Sequence, residues 1–187
     1  IQAVSASRPH EALTALRALE DLASADPLSV RGVLATLVSL DGALCERTGA
    51  LCLVAEELGS AFTEDLFAAA QAAIETQAPC LATISLTEDD AMFGPGGLAG
   101  RAEVWLEPVT SELREQLRGA RETLLRGEGL VVELSLAGER SGQRRHFPPD
   151  HPAVKACFRE GEPELEEEAT RGGVERRLLL PLIPMGK

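Results

Sequence analysis

Tyrosine is absent from the 187 residues, and only one Trp and five Phe are present. The core must therefore be built from Leu, Val, Ile and Ala, with little left for aromatic ligand cages or base-stacking strands. Cations are scarce as well: 18 Lys and Arg stand against 30 Asp and Glu, a formal charge of −12. Nucleic-acid binding draws most of its affinity from Lys and Arg on phosphate, and no basic stripe exists to supply it. No run approaches the ~18 apolar residues of a membrane span. The reading is no nucleic acid and no membrane. Cys45, Cys52, Cys80 and Cys157 form no C-x-x-C pair, and nothing resembles a secretory signal. A reduced, cytoplasmic setting with buried spectator thiols is expected. P-loop, H-E-x-x-H, EF-hand and G-x-S-x-G motifs are missing too. No nucleophile, base and orienting group can be assembled, so no catalysis is expected.

What the sequence does have is alternating helical and strand-like patterning without a linker. Leu13, Leu16, Leu19 and Leu22 form a helical stripe stopped by Asp26 and Pro27. Strands are predicted at 32–40 and 51–55, with Asp41-Gly42 turning the chain after the first. Thr63 is placed to cap a helix running to about Gln77, with Glu64 and Asp65 in its first turn and Leu66, Phe67, Ala70 and Ile74 on its inner face. Strands at 81–86 and 102–106 follow, separated by a Glu88-Asp89-Asp90 turn and a glycine-rich loop. Ser111 is read as the cap of a helix carrying Leu113, Leu117, Ala120 and Leu124 and ending near Gly127.

From Gly129 the pattern starts again. Aligning Leu34 with Val131 superposes two apolar runs, each preceded by a Leu-striped helix. A strand at 143–147, a short helix holding Val154, Cys157 and Phe158, and a last strand at 177–182 complete the second unit. The fold class is α/β, a mixed β-sheet covered by helices, arising either from internal duplication of a helix-strand-strand-helix-strand unit or from chance similarity of two such units. One domain over 1–187 is expected, with a second repeat at 110–187.

Three places invite chemistry. His146-Phe147-Pro148-Pro149-Asp150-His151 gathers metal-ligand types, but a loop leading into a helix, with Asp150 as cap and Pro152 in the first turn, accounts for the same residues. Glu160, Glu162, Glu164, Glu166, Glu167 and Glu168 read as a solvated acidic loop, or as a docking patch for a basic partner. The glycine loop, with Gly96, Gly97 and Gly100, and the strand-to-helix junction, with Gly59, Ser60, Thr63 and Asp65, are the candidate cofactor cleft, because free backbone N–H groups can hold an anion. Glu64 and Asp65 oppose an anion there.

The order Val33-Leu34-Ala35-Thr36-Leu37-Val38, Asp41-Gly42, Gly49-Ala50, Gly59-Ser60, a helix, Pro79, Leu86-Thr87-Glu88-Asp89-Asp90-Ala91, a glycine loop and Glu103-Val104-Trp105-Leu106-Glu107-Pro108 resembles the N-terminal domain of the XdhC/CoxI family of xanthine dehydrogenase accessory proteins. The likeness is best over 32–109. It implies a chaperone-like role in molybdenum hydroxylase maturation: binding molybdenum cofactor (molybdopterin), protecting it while a cysteine desulfurase supplies sulfur, and delivering it to the hydroxylase. It also admits homo-oligomers or pairing with an intact family member.

The family's ligand-binding residues do not carry over. Its serine-glycine-glycine-cysteine stretch is Phe62-Thr63-Glu64-Asp65 here, so Asp65 stands at the cysteine. Its cysteine-glycine-glycine is Leu98-Ala99-Gly100. The serine, proline and arginine of the first hairpin are replaced around Ala43-Leu44-Cys45-Glu46. Thiols become a carboxylate and an alkyl group, and an arginine position becomes Glu46. At ~4 Å and an effective dielectric of ~20 one charge pair is worth about 4 kcal/mol, so a pterin phosphate would lose attraction and meet repulsion. Cys45 or Cys52 either replaces a lost thiol or packs inward. No G-x-G-x-x-G follows a strand, so no Rossmann domain is present. The alternative to a maturation factor is an interaction module that keeps the fold and binds no cofactor.

Overall fold

The computed structural model describes residues 32–55, 64–90 and 98–184. The Leu13–Leu22 stripe and the Thr63 cap lie outside them. In chain order the elements are β1 (Gly32–Leu40), β2 (Leu51–Ala55), α1 (Glu64–Thr76), β3 (Cys80–Leu86), β4 (Gly100–Pro108), α2 (Ser111–Leu125), β5 (Leu130–Ala137), β6 (Arg144–Phe147), α3 (Lys155–Glu160), β7 (Glu164–Thr170) and β8 (Gly173–Leu182). The strands form two four-stranded sheets, ordered β2-β1-β4-β3 and β6-β5-β8-β7. Every pairing is antiparallel. The α/β class and the repeated unit are thus present, with the strands divided between two sheets.

The two sheets have the same strand order and carry matching irregularities. β1 and β4 slip register between Leu37 and Ser39; β5 and β8 slip between Ser135 and Ala137. At each slip a hydroxyl donates to the bulged carbonyl: Thr48 Oγ1 to Val38 O at 3.2 Å, and Ser141 Oγ to Leu136 O at 3.3 Å. Val33 faces Pro108 and Val131 faces Pro181. Val33, not Leu34, is therefore the counterpart of Val131, and the sequence alignment is one residue out. A one-residue slip exchanges the faces of a strand. Two strands buried along nearly their whole length show no alternation of exposed and buried positions to correct it.

Alternation explains the layers. Val33, Ala35 and Leu37 of β1 join Ala102, Val104 and Leu106 of β4 in a core closed by Leu66, Ala70 and Ala73 of α1. On the inner side, Val38 and Trp105 share a second core with Ala120 and Leu124 of α2 and with Val132, Leu134, Leu178 and Leu180 of the second sheet. A third, small core joins Val131 and Leu179 to Val154 and Cys157 at α3.

The turns follow their residue chemistry. Asp41 and Gly42 both have positive φ, at 50° and 81°, and close the bridge between Leu40 and Ala43. Three sequence expectations need correction. Thr110, not Ser111, caps α2, its side chain accepting from Leu113 N at 3.1 Å. Asp150 caps nothing: α3 begins at Lys155, with Val154 at its N-cap and no side-chain cap bond. The acidic run is not a loop, because its second half is β7, paired along its length with β8. Propensity argues against a strand there. Arginines at the facing positions override it, with Glu166 opposite Arg177 and Glu167 opposite Arg176.

Candidate functional site

Gly59, Ser60, Thr63, Gly96 and Gly97 of the expected cleft lie outside the described residues. Asp65 is exposed beside Glu64 in the first turn of α1. Gly100 has φ of 141°, and a Cβ there would sit 2.6 Å from Asp41 Oδ2. That carboxylate is held in place: Asp41 Oδ1 accepts from Arg101 N at 2.9 Å, and Asp41 N donates to Arg101 O at 2.7 Å. Gly100 is thus glycine for a local reason, to seat Asp41 over the start of β4. The side chains described at these positions are carboxylates, the wrong sign for a pterin phosphate and without a thiol for molybdenum. They do not fit that cofactor.

Three of the four cysteines are poorly suited to restore the grip. Cys52 is buried in the core beneath α1, and burial pushes its thiol up to about 12. Cys157 is pushed up to about 12 by burial together with Glu164, Glu160 and Glu166, and burial also raises Cys80. Thiols in that state are poor nucleophiles and poor metal ligands. Cys45 is half-buried in the first hairpin loop, its Sγ 3.8 Å from Thr48 Oγ1. Of the two proposed replacements, Cys52 packs inward.

Charged residues converge at the junction of the two sheets, which the sequence did not reveal. In β4, Glu103 and Glu107 alternate with Val104 and Leu106 and share Trp105's face, toward the second sheet. Arg144 of β6 grips Glu107 with two bonds, Nε to Oε1 at 3.0 Å and Nη2 to Oε2 at 2.7 Å; the side chains are 7% and 6% exposed. Arg176 of β8 grips Glu103 end-on, Nη1 to Oε1 at 2.7 Å and Nη2 to Oε2 at 2.6 Å, and Ser39 Oγ adds a bond to Glu103 at 2.6 Å. Arg176 holds the Glu103 carboxyl below its ordinary range. The Glu-Val-Trp-Leu-Glu-Pro segment therefore fastens one sheet to the other.

Beside the first pair a crevice of about 400 Å³ opens, lined by Gln77, Pro79, Thr110, Gln116, Gln143 and Arg145 among others. On the outer face of the second sheet, Glu133 is fully buried. Arg145 binds its Oε1 at 2.9 Å and Arg177 its Oε2 at 3.0 Å, while Arg177 also bonds Glu166. The register gives Ala35 as Glu133's counterpart in the first sheet, where the longer α1 covers it. α3 has six residues against thirteen in α1. The part of the second sheet beyond the reach of α3 is lined with paired charges.

His146 and His151 are not brought together as ligands. His146 lies on β6, where burial first and Arg144 second push its imidazole down to about 4, so it is neutral at neutral pH. His151 Nδ1 accepts from Ala153 N at 3.2 Å. Among the described residues no cluster of metal-ligating side chains forms, and no helix is long and apolar enough to cross a membrane.

The fold and these pairings define a duplicated α/β domain of two antiparallel sheets fastened by buried ion pairs. No family model matches the chain, and no curated protein matches it. A solved structure does: a xanthine dehydrogenase from Bacillus halodurans has a similar fold, with a TM-score of 0.55 and 23% identity, over 90% of this chain and 52% of that one. The chain spans about half the length of that protein, and at this identity the likeness is one of fold.

Proposed function

We propose that this chain is an XdhC-type accessory protein, a maturation or interaction factor for a molybdenum hydroxylase with no catalysis of its own. The observation that carries the reading is the agreement of two independent features. The ordered motifs over 32–109 resemble that family, and the fold is similar to that of a chain described as a xanthine dehydrogenase over nearly the whole length of this one. The partners it implies are the hydroxylase, the cysteine desulfurase that serves it, or an intact family member. Affinity capture from cells expressing a molybdenum hydroxylase tests it, with recovery of the hydroxylase or the desulfurase expected and recovery of neither contradicting it.

A second reading is favoured by the Asp41 carboxylate over Gly100 and the exposed Glu64-Asp65 pair. In it, the domain works by protein contact alone and carries no molybdopterin. Co-purifying molybdenum and pterin separate the two: a stoichiometric amount marks a carrier, and none marks an interaction module.

A further inference from the structure

The crevice beside the Arg144–Glu107 pair lies on the seam between the repeats and draws its walls from both. The exit of α1 contributes Gln77, the start of α2 contributes Thr110 and Gln116, and the β5–β6 hairpin contributes Gln143, Arg144 and Arg145. Its volume of about 400 Å³ is within the range of small-molecule sites. The arginines already have their counter-ions, Glu107 for Arg144 and Glu133 for Arg145. What remains open is hydrogen-bonding capacity. Arg144 spends Nε and Nη2 on Glu107, and Nη1 of this side chain, 7% exposed, has no acceptor among the described residues. Thr110 Oγ1 accepts from Leu113 N and donates to nothing among them, and the carboxamides of Gln116 and Gln143 are equally without partners there. Gln77 adds a backbone anomaly. Its φ is 51°, and the register sets it at the position of Gly161, with φ 72°, because Cys80 corresponds to Glu164 and Pro79 to Pro163. The second repeat thus ends its helix on the residue suited to that conformation, whereas the first places a carboxamide there, in the wall of the crevice. Its Nε2 donates to Ile74 O, which leaves Oε1 as the free atom.

We propose that this crevice binds a small neutral molecule built on cyclic amide or urea groups. Such a group sets a C=O beside an N–H, the pattern that carboxamides and the free edge of the Arg144 guanidinium complete. Pro79 and Pro108 supply apolar wall for the ring. An anion is disfavoured, because it would bring an unpaired charge to a wall whose arginines are already neutralised, with exposed Glu112 at the rim of a chain of charge −12. The inference stands apart from the functional reading above.

Titration of the full, isotope-labelled chain with uracil and with its benzo-fused analogue quinazolinedione, followed by NMR, tests this. Saturable shifts are expected for the side-chain amide signals of Gln77, Gln116 and Gln143, and none for that of Gln71, exposed on α1. Benzoate and inorganic phosphate are expected to bind roughly tenfold more weakly or not at all. Gln116→Leu and Gln143→Leu remove carboxamides that bond nothing among the described residues, so each is expected to keep the circular dichroism spectrum and to weaken binding of the dione roughly tenfold. Should a variant fail to fold, the pattern of shifts on the unaltered chain decides. No saturable shift from either ring, shifts centred away from the crevice, benzoate bound as tightly as the dione, or binding that both leucine variants leave intact overturns the proposal.

Discussion

Replacing Arg144 by Leu is the sharpest perturbation of the junction between the sheets. Both side chains of the Arg144–Glu107 pair are at least nine-tenths buried and joined by two bonds, so the variant leaves a nearly buried carboxylate without its cation. Breaking a buried pair from one side costs about 3–5 kcal/mol. For a domain of this size that is a fall of roughly 6–20 °C in Tm. Adding Glu107→Leu removes the stranded charge, and the double variant should return to within about 1 kcal/mol of the parent or exceed it. Urea denaturation of the four members of this cycle gives the coupling. The exposed Arg126–Glu128 pair, with side chains 57% and 62% exposed, is the internal control and should show almost none. A loss below about 1 kcal/mol for Arg144→Leu would refute the desolvated latch and return the pair to the class of surface bridges.

Other buried groups are open to similar tests. Thr36 Oγ1 is buried with no hydrogen-bond partner among the described residues, so Thr36→Val should leave thermal stability unchanged or raise it by up to about 1 kcal/mol; a clear loss would mean the hydroxyl is bonded in solution. The His146 imidazole falls from 6.5 to about 4 on folding, so its contribution is complete above pH 6.5 and is lost as pH falls from 6.5 towards 4; His146→Gln should flatten a stability-versus-pH profile in that window. Glu103, also lowered, contributes above its ordinary value of 4.5 and is lost at still lower pH, which Glu103→Gln should show as a flatter acid limb. Gly100→Ala should cost more than about 1 kcal/mol, read by denaturation, and Asp41→Gly should not restore it fully, because the positive φ remains.

Much of the fold was legible because its signals are local. Asp41-Gly42 turned the chain where that dipeptide should, Pro79 separated α1 from β3, and the Leu113–Leu124 stripe marked α2 to within a residue. β7 was hidden because a run of glutamates is a strand only when arginines face it, and Arg176 and Arg177 lie on another strand. The latch was hidden for the same reason. Glu103 and Glu107 alternate visibly with apolar neighbours, a sign of one polar face, but their partners are distant in sequence. Arg47-Thr48-Gly49 and Arg140-Ser141-Gly142 offered the one signal that would have fixed the repeat: their hydroxyls cap the same bulge in each half. Of the expected cleft, only Asp65 and Gly100 lie among the described residues, the first exposed at the start of α1 and the second beneath the Asp41 carboxylate.

The most direct measurement is the molybdenum and pterin content of the chain purified together with a co-expressed molybdenum hydroxylase and its desulfurase. The account predicts that the chain binds one of these proteins while holding no stoichiometric pterin itself. Stoichiometric molybdopterin on the isolated chain would contradict the loss of the cofactor site, and no association with either protein would contradict the accessory role.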